Sequence, residues 1–148
     1  MATVNATRVA ARLGGQRVLR RRVRSMADLE AVVRGGLPWR ALPAVLTTAA
    51  PAPADQAWVA DIVAPRTTRL RRELEGRFSP EESERLERLA RLVDLATQVL
   101  GSIAEARDFL LTPHPLLRDE KPVALARTEL GARQVEDLLW RLEFSLPA

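Results

Sequence analysis

Cysteine is absent from the 148 residues, which excludes a disulfide framework, a thiolate zinc site and a cysteine nucleophile. Tyrosine is absent too, and aromatic residues make up 4 % of the chain. A core must then be built from Leu, Val and Ala, which suits helices packed on helices better than a β-sandwich. The one histidine, His114, stands between Pro113 and Pro115 with no cysteine or acidic cluster to share a metal and no nucleophile to activate. Gly14-Gly15 and Gly35-Gly36 lack the spacing and the lysine of a phosphate-binding loop. Glu81-Glu82 and Asp119-Glu120 are explained as helix-end and loop charges rather than as a catalytic pair. No apolar run approaches the roughly 18 residues of a membrane-spanning helix. A cytoplasmic protein with no catalytic residue, no metal and no cofactor is therefore expected, and not an enzyme.

What is present is apolar mass and a divided charge. Hydrophobic residues make up 47 % of the chain, enough for a packed core. Of 23 basic residues, Lys121 is the only lysine. The net charge of +4 hides two halves: residues 1–77 carry 14 Arg against 6 acids, and residues 78–148 carry 9 basic against 13 acidic residues. A +8 half and a −4 half in one small chain suggest two different partners, the first able to meet phosphates.

The periodicity is helical throughout, and the fold class is all-α. Residues 1–25, with Arg20-Arg21-Arg22 and Arg24, read as a basic flexible arm. Leu29, Val32 and Val33 form the face of a first helix that Gly35-Gly36 stops. Pro38 suits the first turn of the next, with Leu42, Val45 and Leu46 inward, and Thr47 to Ala54 reads as a loop. Asp55 is the expected N-cap of a short helix to Val63, broken by Ala64-Pro65, and a further helix runs from Arg66 to about Glu75. Two short helices on a tight turn outline a helix-turn-helix within residues 26–78. With Leu70 and Leu74 facing inward, the second helix would offer Arg66, Thr68, Arg69, Arg71 and Arg72 to DNA.

Ser79-Pro80-Glu81-Glu82 is a capping box with proline at the first helical position, and predicts a helix to Leu100. Its second half is apolar nearly all round, so it is buried on several sides or by a second subunit, and a homodimer is expected. Ser102 and Glu105 repeat the capping pattern, Thr112 to Lys121 is a loop, and Pro122 opens another short helix. The last helix, from about Thr128 to Phe144, carries Val135, Leu138, Leu139 and Leu142 as its core stripe. Trp140 and Phe144, four residues apart, then share a face away from the core, flanked by Arg133 and Asp137. Exposed Trp, Phe and Arg are what binding hot spots are made of.

At this point several spaced elements fall into one pattern. They are Leu110-Leu111-Thr112-Pro113-His114-Pro115-Leu116-Leu117, then Lys121-Pro122-Val123-Ala124-Leu125, then Thr128-Glu129-Leu130-Gly131-Ala132-Arg133, and finally Arg141-Leu142-Glu143. Together they resemble the toxin-binding C-terminal domain of Xre/MbcA/ParS-type antitoxins, and Arg77-Phe78-Ser79-Pro80-Glu81-Glu82-Ser83 resembles the junction before it. His114 departs from the usual asparagine of that pattern, Arg118-Asp119 from small residues, and Lys121 from a capping Thr or Ser. The resemblance implies a type II toxin–antitoxin system, in which residues 79–148 cover a RES-domain, NAD⁺-consuming toxin and the N-terminal domain represses the operon by binding operator DNA. Carried onto this chain, the toxin-facing candidates are Thr112, His114, Arg118, Lys121, Arg133, Asp137, Trp140, Arg141 and Phe144. The alternative is a DNA-binding regulator whose C-terminal half only dimerises.

Overall fold

A computed structural model describes residues 4–145, so the first three residues of the expected arm and residues 146–148 lie outside the described residues. In chain order the helices are α1 (Ala6–Arg12), α2 (Gly15–Leu19), α3 (Met26–Arg34), α4 (Ala41–Ala49), α5 (Pro53–Val63), α6 (Arg66–Glu75), α7 (Pro80–Leu100), α8 (Ile103–Leu111) and α9 (Glu129–Ser145), with 3-10 turns at Pro115–Leu117 and Pro122–Arg127 before the last. No strand forms among the described residues, only isolated bridges between Pro38 and Arg77 and between His114 and Glu120.

The axis of the molecule is α7. Its start obeys the capping rules: the Ser79 hydroxyl accepts from Glu82 N at 3.2 Å, and the Glu82 carboxylate accepts from Ser79 N at 2.8 Å. Leu86, Leu89, Leu92, Val93, Leu95 and Ala96 are all buried. What covers them belongs to the same chain, since α1, α3, α4, α5, α8, α9 and the second 3-10 turn all pack on α7. The apolar surface is thus covered from within the chain except at its end, where Val99 and Leu100 are half-buried. The near-continuous apolar pattern therefore does not by itself require a second subunit.

The expected arm is folded instead. Val9, Leu13, Leu19 and Val23 are buried, and α1 lies along α7. Its anchor is Asp94, a carboxylate with 3 % of its side chain exposed, which accepts from Arg8 Nε at 3.2 Å, from Arg12 Nε at 3.5 Å and from Gln98 at 2.8 Å. A buried charge is tolerated only when paired and hydrogen-bonded, so two arginines that read as solvated are structural.

Other boundaries shift for local reasons. Helix α4 starts at Ala41 rather than Pro38, because Trp39 N donates to Gly76 O and Phe78 N to Leu37 O, both at 2.9 Å, which holds residues 37–39 extended. Gly36 makes the approach possible: at φ +87° a Cβ there would fall 2.4 Å from Phe78 O. Helix α5 begins three residues early with Pro53 at its first position, and Asp55, the expected N-cap, instead accepts from Trp58 Nε1 at 3.1 Å. The stretch expected as a loop from Thr47 shrinks accordingly to residues 50–52.

Candidate functional site

The C-terminal surface is assembled on a frame of buried polar contacts. Arg88 of α7 donates to Ala126 O at 2.8 Å and Arg127 O at 3.0 Å, pinning the second 3-10 turn. Beside it, Arg91 meets Glu129 at 3.1 Å, Glu136 at 3.1 Å and Glu87 at 3.7 Å. Burial pushes Glu87 and Glu136 above the ordinary glutamate range although Arg91 opposes the shift. The same desolvation works against Arg91, but its three carboxylates outweigh it and raise its pKa. At the other end of the turn, the Thr128 hydroxyl accepts from Gly131 N at 2.9 Å and starts α9. Gly131 is required by contact: a Cβ there would lie 2.2 Å from Leu125 O.

On that frame α9 runs through Ser145, so Phe144 is helical. Val135, Leu138 and Leu139 are buried as the stripe predicts. The rings of Trp140 and Phe144 stack with centroids 6.1 Å apart and planes 17° from parallel. Trp140 is half-buried against the core, whereas Phe144 is 62 % exposed. Arg133, Asp137 and Arg141 are exposed on the same side of the helix. Arg133 stands 3.8 Å from Glu129, its partner one turn back.

The loop from Thr112 to Lys121 reaches this helix on one flank only. Leu116 and Leu117 meet Gln134, Asp137, Leu138 and Arg141 around a depression of about 210 Å³. Thr112 and His114 line a separate shallow cleft with Phe109 and Asp108 of α8, to which α9 contributes no residue. Lys121 turns away from both: its Nζ sits 4.5 Å from the centre of the Trp58 ring of α5. Arg118 and Asp119 are exposed at the tip and both left-handed, at φ 57° and 60°, a geometry that costs non-glycine residues on the order of 1 kcal/mol each.

His114 explains how the loop holds that shape. Its Nδ1 accepts from Leu116 N at 3.1 Å, and its backbone oxygen takes Leu117 N at 2.9 Å and Asp119 N at 3.0 Å. A side chain accepting from the N–H two residues on is what an asparagine does in an Asx turn. The imidazole therefore makes the bond that an asparagine would make in such a turn. Its other edge packs against Phe109 at 5.9 Å. Sequence reasoning missed Leu116, 69 % exposed at the rim of the depression. A Pro-Leu-Leu run gives no sign of which leucine is buried, and it is Leu117.

Helix α6 corrects the expected DNA-facing set. Leu70 and Leu74 point outward, 51 % and 90 % exposed, and α6 buries no side chain. Its inner face is polar. Arg69 pairs with Asp61 and donates to Ala64 O at 2.8 Å. Arg72 donates to Glu82 at 2.8 Å and to Glu75 at 2.9 Å. Those two bonds raise the Arg72 pKa. Burial alone would raise Glu82, but Arg72 and the Ser79 N–H hold its carboxyl below the usual range. Arg69 and Arg72 are thus fasteners. Arg66 and Arg71 remain exposed without a partner among the described residues, Thr68 is half-buried, and Thr67, not expected, is exposed.

Comparison with known proteins places these two regions. Residues 28–91 match the antitoxin Xre-like helix-turn-helix domain, and residues 95–144 match the antitoxin Xre/MbcA/ParS C-terminal toxin-binding domain. The chain belongs to the Xre/MbcA/ParS-type antitoxin family. It is 42 % identical over 79 residues to an Antitoxin Xre of Yersinia enterocolitica serotype O:8 / biotype 1B. That alignment covers 53 % of either chain, about half the length of the curated relative. Among the described residues no helix is long and apolar enough to cross a membrane.

Proposed function

We propose that the chain is the antitoxin of a type II toxin–antitoxin pair, which silences a RES-domain, NAD⁺-consuming toxin by lying over its active site. The observation that carries this reading is the stacked Trp140–Phe144 pair, exposed at the end of α9 within the segment that matches the toxin-binding domain. Phe144, Trp140, Asp137, Arg141 and Leu116 form an aromatic centre with a polar rim, the anatomy of a tight interface. Arg118 extends it at the loop tip. Thr112 and His114 act through loop shape, and Lys121 through its hold on Trp58. Steric cover needs no catalytic group from the antitoxin. The test is to read the gene beside this chain's and to assay its product for NAD⁺ consumption, a neighbour of any class other than RES counting against the reading. Added wild-type protein should stop the reaction at the molar ratio of the complex, and Phe144→Ala and Trp140→Ala should restore it. Equal inhibition by both variants would remove the proposed face.

The N-terminal half is read as the operator-binding part. Helix α6 offers Arg66, Thr67 and Arg71 as hydrogen-bond donors, with Leu70 positioned as an apolar contact for a thymine methyl. Titrating the protein against its own promoter at low salt tests this, with Arg71→Ala expected to lower preference for that sequence. The alternative regulator, dimerised through its C-terminal half, would have to use the same Trp140–Phe144 face, since most of the apolar surface of α7 is covered within the chain.

A further inference from the structure

A second basic surface lies beside α6, and two of its arginines precede both family matches. The bridge that joins residues 37–39 to residues 76–78 fixes the C-terminal end of α6 against the connection between α3 and α4. Helix α2 ends at the same corner with Leu19 buried. Between them is a cleft of about 570 Å³, whose walls include Arg17, Arg20, Trp39, Arg40, Glu73 and Arg77. Four guanidinium groups thus share it with one carboxylate. Arg77 is engaged, donating to Gly36 O at 2.6 Å. Arg17, Arg20 and Arg40 are exposed and have no partner among the described residues. Several other arginines of this chain find carboxylates or carbonyls, at Asp94, Asp61, Glu82 and Ala126, whereas Arg66 and Arg71 of α6, like these three, do not among the described residues.

Uncompensated guanidinium groups around a concave surface with an apolar floor build a positive potential that draws an anion from outside. Their planar forks match phosphate oxygens. The position says which phosphate. Glu73 follows Arg66 by seven residues, two turns that return to the same side of α6 about 10 Å along its axis. The cleft therefore continues the flank that begins at Arg66, and a duplex seated on α6 carries its sugar–phosphate strand across it. We propose that the cleft is a seat for the DNA phosphate backbone, in which Arg17, Arg20 and Arg40 supply affinity without sequence preference. The proposal rests on the reading of α6 as the base-reading helix.

The experiment uses the full chain, fluorescence anisotropy, and two labelled duplexes of equal length, one from its own promoter and one scrambled, across 50–300 mM salt. The test protein is the triple variant Arg17→Gln/Arg20→Asn/Arg40→Gln, asparagine being chosen because Arg20 is left-handed at φ 58°. All three side chains are exposed, so its melting temperature should match the wild type. The expected result is an equal loss on both duplexes, about tenfold or more at 100 mM salt, with a log–log salt slope shallower by about 2 to 3. Lysine at the same three positions should keep the slope. Arg71→Ala should instead lose preference for the promoter duplex and change the slope by about 1 at most. Wild-type affinity and slope in the triple variant would overturn the cleft, and the α6 reading stands or falls separately on Arg71→Ala. A wild-type protein that binds neither duplex overturns both. A triple variant that keeps DNA binding but loses the toxin complex also overturns the proposal, and gives the cleft to an acidic protein surface.

Discussion

Replacing Gly131 by alanine sets effects of opposite sign against each other. In an exposed helix, Gly→Ala stabilises by about 1 kcal/mol through backbone entropy. Here the added Cβ would meet Leu125 O at 2.2 Å and Thr128 Oγ1 at 2.9 Å. Ordinary carbon–oxygen contacts lie near 3.3 Å or beyond, so α9 must retreat by roughly 1 Å or push the turn away. Neither neighbour yields freely. The turn is held by Arg88 through Ala126 O and Arg127 O, and Thr128 is bound to Gly131 N itself. Overpacking costs about 1–3 kcal/mol and loss of the Thr128 cap about 1 kcal/mol more. Set against the helix gain, the net is a destabilisation of about 2 kcal/mol. For a chain of this size that lowers the melting temperature by about 4–8 °C. Thermal unfolding followed by circular dichroism and by fluorescence of the tryptophans measures it. A variant that melts at or above the wild-type temperature would refute the argument that contact, not helix propensity, keeps glycine at this position.

Three further outcomes follow from the buried polar contacts. Arg88→Ala leaves two carbonyl oxygens without their charged donor and should destabilise by about 2–3 kcal/mol, read from the urea midpoint. Asp94→Ala should release α1, so amide exchange across Ala6–Arg12 becomes fast while α7 stays protected. Glu82 ionises more readily in the fold than in the unfolded chain, so its contribution is present above the usual glutamate pKa of about 4.3 and is lost as pH falls through its lowered folded value. Glu87 and Glu136, raised by burial, act in the opposite sense, so only the difference between wild type and Glu82→Gln isolates the pair with Arg72. That difference in melting temperature should shrink steadily below pH 4.3, and a constant difference down to pH 3 would contradict it.

The parts of the fold written in the sequence are those set by local chemistry. Ser79 and Ser102 mark helix starts because a hydroxyl needs only the N–H three residues on. The stripe of α9 is legible because Val135, Leu138 and Leu139 share one face by period alone. What was not legible depends on distant partners. Residues 4–25 look solvated in the sequence until Asp94, 86 residues beyond Arg8, is brought beside Arg8 and Arg12. The orientation of α6 reverses because Arg69–Asp61 and Arg72–Glu82 hold its polar face down, where apolar periodicity alone turns Leu70 and Leu74 inward. The candidate site divides in the same way. Trp140 and Phe144 sit together by helix geometry, whereas the turning of Lys121 to Trp58 and the exposure of Leu116 are set by tertiary contacts.

The end of α9 is the surface proposed to hold the toxin. A phenylalanine side chain of about 200 Å² that is 62 % exposed leaves roughly 120 Å² to be covered, worth about 3 kcal/mol at 25 cal/mol per Å² as an upper figure. Titration calorimetry of the purified toxin against Phe144→Ala, with Leu74→Ala on α6 as control, is the direct measurement. The expected result is a Kd raised about thirtyfold or more for Phe144→Ala, near 2 kcal/mol, and unchanged for Leu74→Ala. Wild-type affinity for Phe144→Ala, or a loss confined to Leu74→Ala, would contradict it.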